Sequence, residues 1–208
     1  MVESLEELFE RQKGLDLKIP GSVAVYGVGG IGSWIALDFA LVGVKKLYVI
    51  DPDVIEMHNL NRTPFRVEDI GKPKVQALME LVLERRPETE VIPLREAVEN
   101  LPADIKEQLK LADVKVDARD TTQRLIGLLE PDVKVGYDGT AVTMDFRKRK
   151  NFWGEANTYT VVPSFVVTPQ FIASLIVFAF TRKRPAMKLF SFDLDNIWEM
   201  LEKGGAEK

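Results

Sequence analysis

Apolar residues along the chain alternate between short β-branched runs and longer helical stretches. Val23 to Tyr26 is a short, wholly apolar run, as a strand buried on both faces requires. Ile31 to Val42 is apolar on nearly every side and predicts a buried helix, and Lys46 to Ile50 predicts a second strand. The alternation continues with a helix over Val75 to Arg86, a strand over Glu90 to Arg95 and an outward-facing helix over Pro102 to Leu109. A fourth strand follows at Ala112 to Val116, then a helix at Thr121 to Leu129 and a fifth strand at Val133 to Gly136. Strands that alternate with helices in this way predict βαβ units and a parallel sheet.

The flanking regions follow other patterns. Glu3 to Lys13 predicts an amphipathic helix with Leu5, Leu8 and Phe9 on one face, and Gly14 and Pro20-Gly21 turn the chain into the first strand. Val142 to Phe146 and Asn157 to Val162 predict antiparallel strands around a basic loop, Arg147 to Lys150. Met187 to Phe192 predicts an edge strand, Asp195 to Glu202 a closing helix, and Gly204-Gly205 the start of a frayed tail. Val161 to Phe180 raises the question of a membrane span, but Pro163, Pro169, Gln170 and Ser174 interrupt it. The unbroken piece falls short of the ~20 residues a span needs, so a buried strand end followed by a buried helix is expected. The fold class is therefore α/β: a Rossmann-like, doubly wound, mostly parallel sheet with antiparallel strands in its C-terminal part. The expected organisation is a single domain over 1–208, with an N-terminal helix in 1–20, a Rossmann-like core in 21–137 and a reduced part in 138–208.

Composition narrows the chemistry. The chain has 208 residues, 46% hydrophobic and 29% charged, ordinary values for a globular protein. A net charge of −4 and the lack of a basic stripe beyond residues 147–150 make nucleic acid an unexpected partner. The absence of cysteine excludes disulfides, cysteine-based zinc sites and a cysteine nucleophile, and one histidine, His58, cannot build a His-based metal site. Met1-Val2-Glu3-Ser4 opens acidic rather than basic and then apolar, so no signal peptide is read and a cytoplasmic location is expected.

Between the first strand and its helix lies Gly27-Val28-Gly29-Gly30-Ile31-Gly32. Glycines here allow a tight turn and a close approach of backbone N–H groups to a phosphate, which the helix N-terminus also favours. Asp51, at the end of the second strand, stands where dinucleotide folds place the acidic residue that holds ribose hydroxyls. Ser33 could cap the helix or contact phosphate; Trp34 is expected in the core, and His58 at the surface. Lys72 and Lys74 flank Pro73 at the start of a predicted helix, where positive charge opposes the helix dipole by about 0.3–1 kcal/mol. A residue that breaks a local rule is a candidate for function, and a polyanion bound there would turn the repulsion into attraction. Asp117 and Asp120 sit at the carboxyl end of the fourth strand; Asp120 is also well suited to cap the helix expected next.

Taken together, GxGGIGS, the Asp51-Pro52-Asp53 run, Asn59-Leu60-Asn61-Arg62, Gly71-Lys72-Pro73-Lys74 and the Asp117/Asp120 pair resemble, in order and spacing, the ThiF/MoeB/HesA superfamily related to ubiquitin-activating enzymes. The likeness covers about residues 5–130 and is loose beyond. It implies an ATP-dependent adenylyltransferase that activates a carboxylate, the C-terminal glycine of a small β-grasp, ubiquitin-like sulfur-carrier protein of ThiS/MoaD type, and releases pyrophosphate. It implies ATP and Mg²⁺ as cofactors. It assigns nucleotide binding to Gly27, Gly29, Gly30, Ile31, Gly32, Asp51, Asp53, Asn59, Arg62 and Lys74. Arg62 would meet the β and γ phosphates, Lys74 the phosphates, and Asp120 the metal. Arg11 would reach into a neighbouring subunit's ATP site, which implies a homodimer; the alternative is a solvated arginine at a helix C-terminus. The family's usual asparagine after the metal aspartate is Thr121 here, while Arg124 keeps an arginine often found nearby. The paired CxxC zinc motifs and the transfer cysteine of other members are missing, so no zinc and no covalent cysteine step are expected. Three alternatives stay open: an NAD-dependent oxidoreductase using the glycines and Asp51, a non-catalytic adaptor of the same fold, and an adenylating enzyme acting on a small molecule or tRNA.

Overall fold

A computed structural model describes residues 5–121, 125–147, 163–182 and 188–204. The expected strand at 157–162, the basic residues 148–150 and Arg124 lie outside them. A seven-stranded sheet is the frame, in the order β3-β2-β1-β4-β5-β6-β7. The strands are β1 (Ser22–Tyr26), β2 (Lys46–Ile50), β3 (Glu90–Leu94), β4 (Val114–Asp117), β5 (Val133–Asp138), β6 (Ala141–Asp145) and β7 (Leu189–Asp193). β3, β2, β1, β4 and β5 run parallel, and β6 and β7 join antiparallel. The expected doubly wound sheet with an antiparallel C-terminal part is what forms. Pro93 sits in β3, an edge strand, where a missing N–H leaves no interior ladder bond unmade.

Side chains alternate across the strands and build two cores. Val23, Val25, Leu47, Val49, Val116 and Val133 face α1 (Gly30–Val42), α2 (Lys74–Arg85) and α4 (Val167–Arg182). Ala24, Tyr26, Tyr48 and Ile50 face the other way, onto Leu109 of α3 (Ala103–Lys110) and onto Val98, Leu101 and Leu129. α1 is the central helix and packs along α4, which explains why it is apolar almost all round. α4 itself is buried only on the side of Thr168, Ile172, Ala173, Ile176 and Val177, with Phe178 outside; the expectation of a buried helix holds for one face. Among the described residues no helix is long and apolar enough to cross a membrane.

Two expectations change. Residues 125–130 do not continue a helix: Ile126 is extended, Gly127 has φ +71°, and only a single 3-10 turn, Gly127–Leu129, forms before β5. The N-terminal helix is 3-10 in type over Leu5–Leu15, and Leu8 is exposed, so Phe9 makes the docking contact. Its ring lies against Gly43 at the end of α1 and under the guanidinium of Arg86, 4.3 Å from the ring centre. Arg86 is itself buried and donates to the carbonyl of Leu41 at the carboxyl end of α1, where a cation is favoured. α5 (Leu194–Gly204) closes the described chain after β7.

Asp38 points from α1 into the groove beside α4 formed with Leu41, Val42, Ser174 and Val177. Burial pushes its carboxyl up to about 6 from 3.8, against a smaller opposite pull from Arg85. The folded state therefore holds the proton more tightly than the unfolded chain, and the stability linked to neutral Asp38 is complete below pH 3.8 and lost as pH rises through about 6. Asp38→Asn should raise the melting temperature at pH 7.5 and leave it unchanged at pH 3.5, measured by calorimetry. Gly32→Ala should cost about 2–4 kcal/mol or prevent folding, because its Cβ would lie 1.8 Å from the carbonyl oxygen of Gly27; urea denaturation measures this.

Candidate functional site

The carboxyl ends of β1, β2 and β4 meet at one edge of the sheet, where open α/β sheets place ligands. β1 leads straight into the glycine turn. Gly27 adopts φ +83° and lies so close to Ala118 and Arg119 that a Cβ would come within 3.0 Å of the Arg119 backbone. Gly27 N–H donates to Ile50 O at 2.8 Å and Ala118 N–H to Tyr26 O at 2.8 Å, so the turn is stitched to the ends of both neighbouring strands. Gly29 caps α1 and Gly30 is its first residue. Ser33 neither caps nor faces outward: it is buried, and its hydroxyl donates to Gly29 O at 2.6 Å. Of the two roles open to Ser33, cap or phosphate contact, the structure shows neither; its hydroxyl makes an internal bond that shapes the turn.

Asp51 is 6% exposed and its two oxygens are both engaged. Oδ2 accepts the N–H of Val28 in the glycine turn at 2.8 Å, and Oδ1 accepts the N–H of Asp53 at 2.9 Å. Lys74 is the first residue of α2, after Pro73 at the cap, one place later than Pro at the first helical position. Lys74 is only 9% exposed, and its ammonium lies 2.7 Å from Asp53 Oδ2 and 3.7 Å from Asp51 Oδ1. These carboxylates offset the dipole conflict at this helix N-terminus; Lys72 is matched in the same way, 2.8 Å from Asp69 and 3.1 Å from Glu80. Asp51, Asp53, Lys74 and the glycine turn are therefore one connected cluster.

The loop after β2 supplies Asn59 and Arg62. Asn59 is buried and accepts the Glu56 N–H at 3.0 Å, closing a small turn over Met57–Asn59; its side chain holds the loop. Arg62 is half-buried. Its stem passes 3.4 Å from where a Cβ on Gly30 would sit, and its guanidinium donates to His58 O and to Asn61 Oδ1. The structure thus brings Arg62 to the start of α1. His58 is exposed, 3.1 Å from Glu56. Trp34 packs on the core and its indole N–H donates to Arg62 O at 3.0 Å, a positioning role that its hydrophobicity alone did not reveal. Asp120 is exposed just past β4, next to Arg119 and so at the rim of the glycine turn. Arg11 is exposed on the N-terminal helix, away from this cluster's contacts. Among the described residues no three acidic or histidine side chains are grouped to hold a metal.

Beneath the Asp120 loop lies a buried ionic node absent from the expectations. Asp117 and Lys134 are both 0% exposed and 3.2 Å apart on paired positions of β4 and β5. Arg119 clasps Asp117 through Nε at 2.9 Å and a terminal nitrogen at 3.0 Å, and also pairs with Glu99. Burial disfavours the Arg119 charge, but the bonds to Asp117 and Glu99 outweigh it and hold its pKa above the ordinary value. Burial, then the nearby Asp117 charge, pushes the Tyr26 phenol up. A lysine in the middle of an apolar strand pattern was the one sequence signal for this node.

A glycine turn opening a helix at the carboxyl edge of a parallel sheet, with an acidic residue closing the second strand, defines a Rossmann-like α/β protein. The profile of the ThiF family matches residues 9–126, and the chain belongs to that family. It is 34% identical over 107 residues to a NEDD8-activating enzyme E1 catalytic subunit of Arabidopsis thaliana, covering 51% of this chain and 24% of that protein. It is 36% identical over 93 residues to the tRNA threonylcarbamoyladenosine dehydratase of Bacillus subtilis, covering 44% and 37%. It is 35% identical over 99 residues to the SAMP-activating enzyme E1 of Haloferax volcanii, covering 47% and 36%. The chain thus spans between about a quarter and somewhat over a third of the length of these relatives. Among solved structures, PaaA superposes with a TM-score of 0.64 at 22% identity, covering 84% of this chain and 61% of that one. E. coli MccB with ATP superposes with a TM-score of 0.60 at 19% identity, covering 83% and 63%; at these identities the likeness is one of fold.

Lys134→Met should destabilise the protein by about 3 kcal/mol, since Asp117 would keep Arg119 but lose its second buried partner. Guanidinium unfolding checks this, and a loss under 1 kcal/mol would show that the node contributes little.

Proposed function

We propose that this protein is an ATP-dependent adenylyltransferase that activates a carboxylate, with the C-terminal glycine of a small β-grasp, ubiquitin-like sulfur carrier as the partner. The observation that carries the reading is Lys74: a buried ammonium at a helix N-terminus, held by Asp51 and Asp53 beside the glycine turn. An anion brought to the turn would meet this ammonium next to the free N–H groups of a helix N-terminus, the combination that favours a phosphate there. Membership of the ThiF family and the similarity to E1 enzymes named for NEDD8 and SAMP support the same reading. The dehydratase relative keeps a tRNA or small-molecule carboxylate as the second reading.

In the proposed reaction a carboxylate oxygen of the partner attacks the α-phosphorus of MgATP. The bond from that phosphorus to the bridging oxygen of pyrophosphate breaks, giving an acyl-adenylate. No side-chain nucleophile takes part, and the protein's contribution is positioning and charge. Asp51 and Asp53 face the ribose side. Backbone N–H groups of Gly29, Gly30, Ile31 and Gly32 face the phosphates, joined by Arg62 and Lys74, with Asn59 holding the Arg62 loop. Asp120 supplies one carboxylate to the magnesium that arrives with ATP; a single carboxylate fits, since Mg²⁺ commonly takes one or two together with phosphate oxygens and water. Arg11 acts across a homodimer. Residues 1–208 work as one domain, in the cytoplasm.

Thermal shift of the intact protein with MgATP, NAD⁺ and NADH tests this. A ligand at 100 times its Kd adds about 2.7 kcal/mol, so MgATP should raise the melting temperature. The increment should vanish in Lys74→Ala, whatever that variant's own baseline. A rise with NAD⁺ or NADH alone would overturn the adenylation reading, and an undiminished MgATP increment in Lys74→Ala would remove its central residue.

A further inference from the structure

Asp120, the carboxylate assigned to magnesium, hangs on a very short piece of backbone. Arg119 O accepts the Thr121 N–H at 2.9 Å, which closes a three-residue turn with Asp120 at its apex. Where that apex lies depends on how Arg119 is held. On one side its backbone meets the glycine turn: a Cβ on Gly27 would come within 3.0 Å of Arg119 N and Cα. Its N–H donates to Asp117 Oδ1 at 3.2 Å, and its guanidinium clasps the same carboxylate.

The Arg119 carbonyl has a second donor. The ammonium of Lys134 lies 3.4 Å from Arg119 O and 3.2 Å from Asp117 Oδ2. Lys134 is 0% exposed and belongs to β5, so it reaches this oxygen only because β5 pairs with β4. On the other neighbouring strand, β6, Asp145 stands in register with Lys134 and is clasped by Arg147 at 2.8 Å and 2.9 Å. Asp117 and Asp145 thus each have an arginine two residues on, and Lys134 is not their only counter-charge. What it adds is a charged donor on the carbonyl that closes the Asp120 turn.

We propose that Lys134 is a positioning residue for the magnesium carboxylate: by holding the Arg119 carbonyl from the neighbouring strand, it fixes the turn that presents Asp120. This rests on the adenylation reading and on its assignment of Asp120 to the metal, and it extends that assignment to the buried group that sets the ligand's place. Partners one step removed from a metal commonly change its affinity by about 10–100-fold when they are lost.

Isothermal titration of the intact protein with MgATP, and with ATP in EDTA, tests the assignment. Wild-type protein should bind MgATP more tightly than metal-free ATP, and Asp120→Asn should remove the difference. Lys134→Met should weaken MgATP about tenfold while metal-free ATP stays within about twofold. Loss of stability alone does not produce that split, because it lowers both affinities together. In an Asp120→Asn background Lys134→Met should have no further effect on MgATP, since the lysine acts through the aspartate. Where Lys134→Met does not fold, Lys134→Gln takes its place: it keeps an N–H donor beside Asp117 on a side chain one bond shorter, and should give the same split. Equal losses for both forms of ATP, no loss for either, or additive losses in the double variant would overturn the role of Lys134 and leave adenylation standing. Wild-type protein that does not prefer MgATP, or a preference that survives Asp120→Asn, would overturn the assignment of Asp120 to the metal and this inference with it.

Discussion

The carboxylate of Asp51 is the joint on which the site depends. One oxygen holds the glycine turn through Val28, the other starts the loop after β2 through Asp53, and the ammonium of Lys74 sits against both aspartates. Three elements that are separate in sequence, the β1–α1 turn, the end of β2 and the start of α2, thereby share one charge cluster, buried at Asp51 and Lys74 and open to solvent at Asp53. Burying a carboxylate is costly unless hydrogen bonds and a counter-charge compensate, and here two backbone donors and a lysine do so. The same backbone donors fix the shape of the turn, so geometry and electrostatics are set by one group.

A second constraint is steric. Gly32 passes so close to the Gly27 carbonyl that only glycine fits, and Gly27 in turn lies against the Arg119 backbone. The turn after β1 and the turn after β4 are consequently in contact, and the loop that carries Asp120 is set on the glycine turn. Beneath it the Asp117–Lys134–Arg119 node ties the end of β4 to the start of β5. The two sides of the cleft are therefore held by different means: aspartate–lysine pairing around β2 and α2, and close backbone packing with a buried ionic node around β4 and β5.

On the far side the antiparallel strands change what the edge offers. The β5–β6 hairpin and the segment leading into α4 bring Tyr137 and Ser164 against the Asn61–Arg62 loop at the mouth of the turn, where a purely parallel sheet would present only loops. Trp34 links the central helix to the Arg62 carbonyl, so the packing of α1 and the placement of the arginine loop are not independent.

The sequence by itself determined the strand–helix alternation, the glycine turn, the Asp51 position and the unusual lysines, because each is a local rule of periodicity, backbone freedom or charge at a helix end. It misjudged the stretch after β4, where residues 125–130 are apolar enough for a helix but Ile126 and Gly127 adopt extended and left-handed backbone. It also missed Ser33 as an internal bond, Trp34 as a support for Arg62, and the pairing of Lys134 with Asp117. Those depend on which groups meet across strands and loops far apart in the chain, and only the tertiary structure decided them: a buried polar atom takes the partner that folding brings to it.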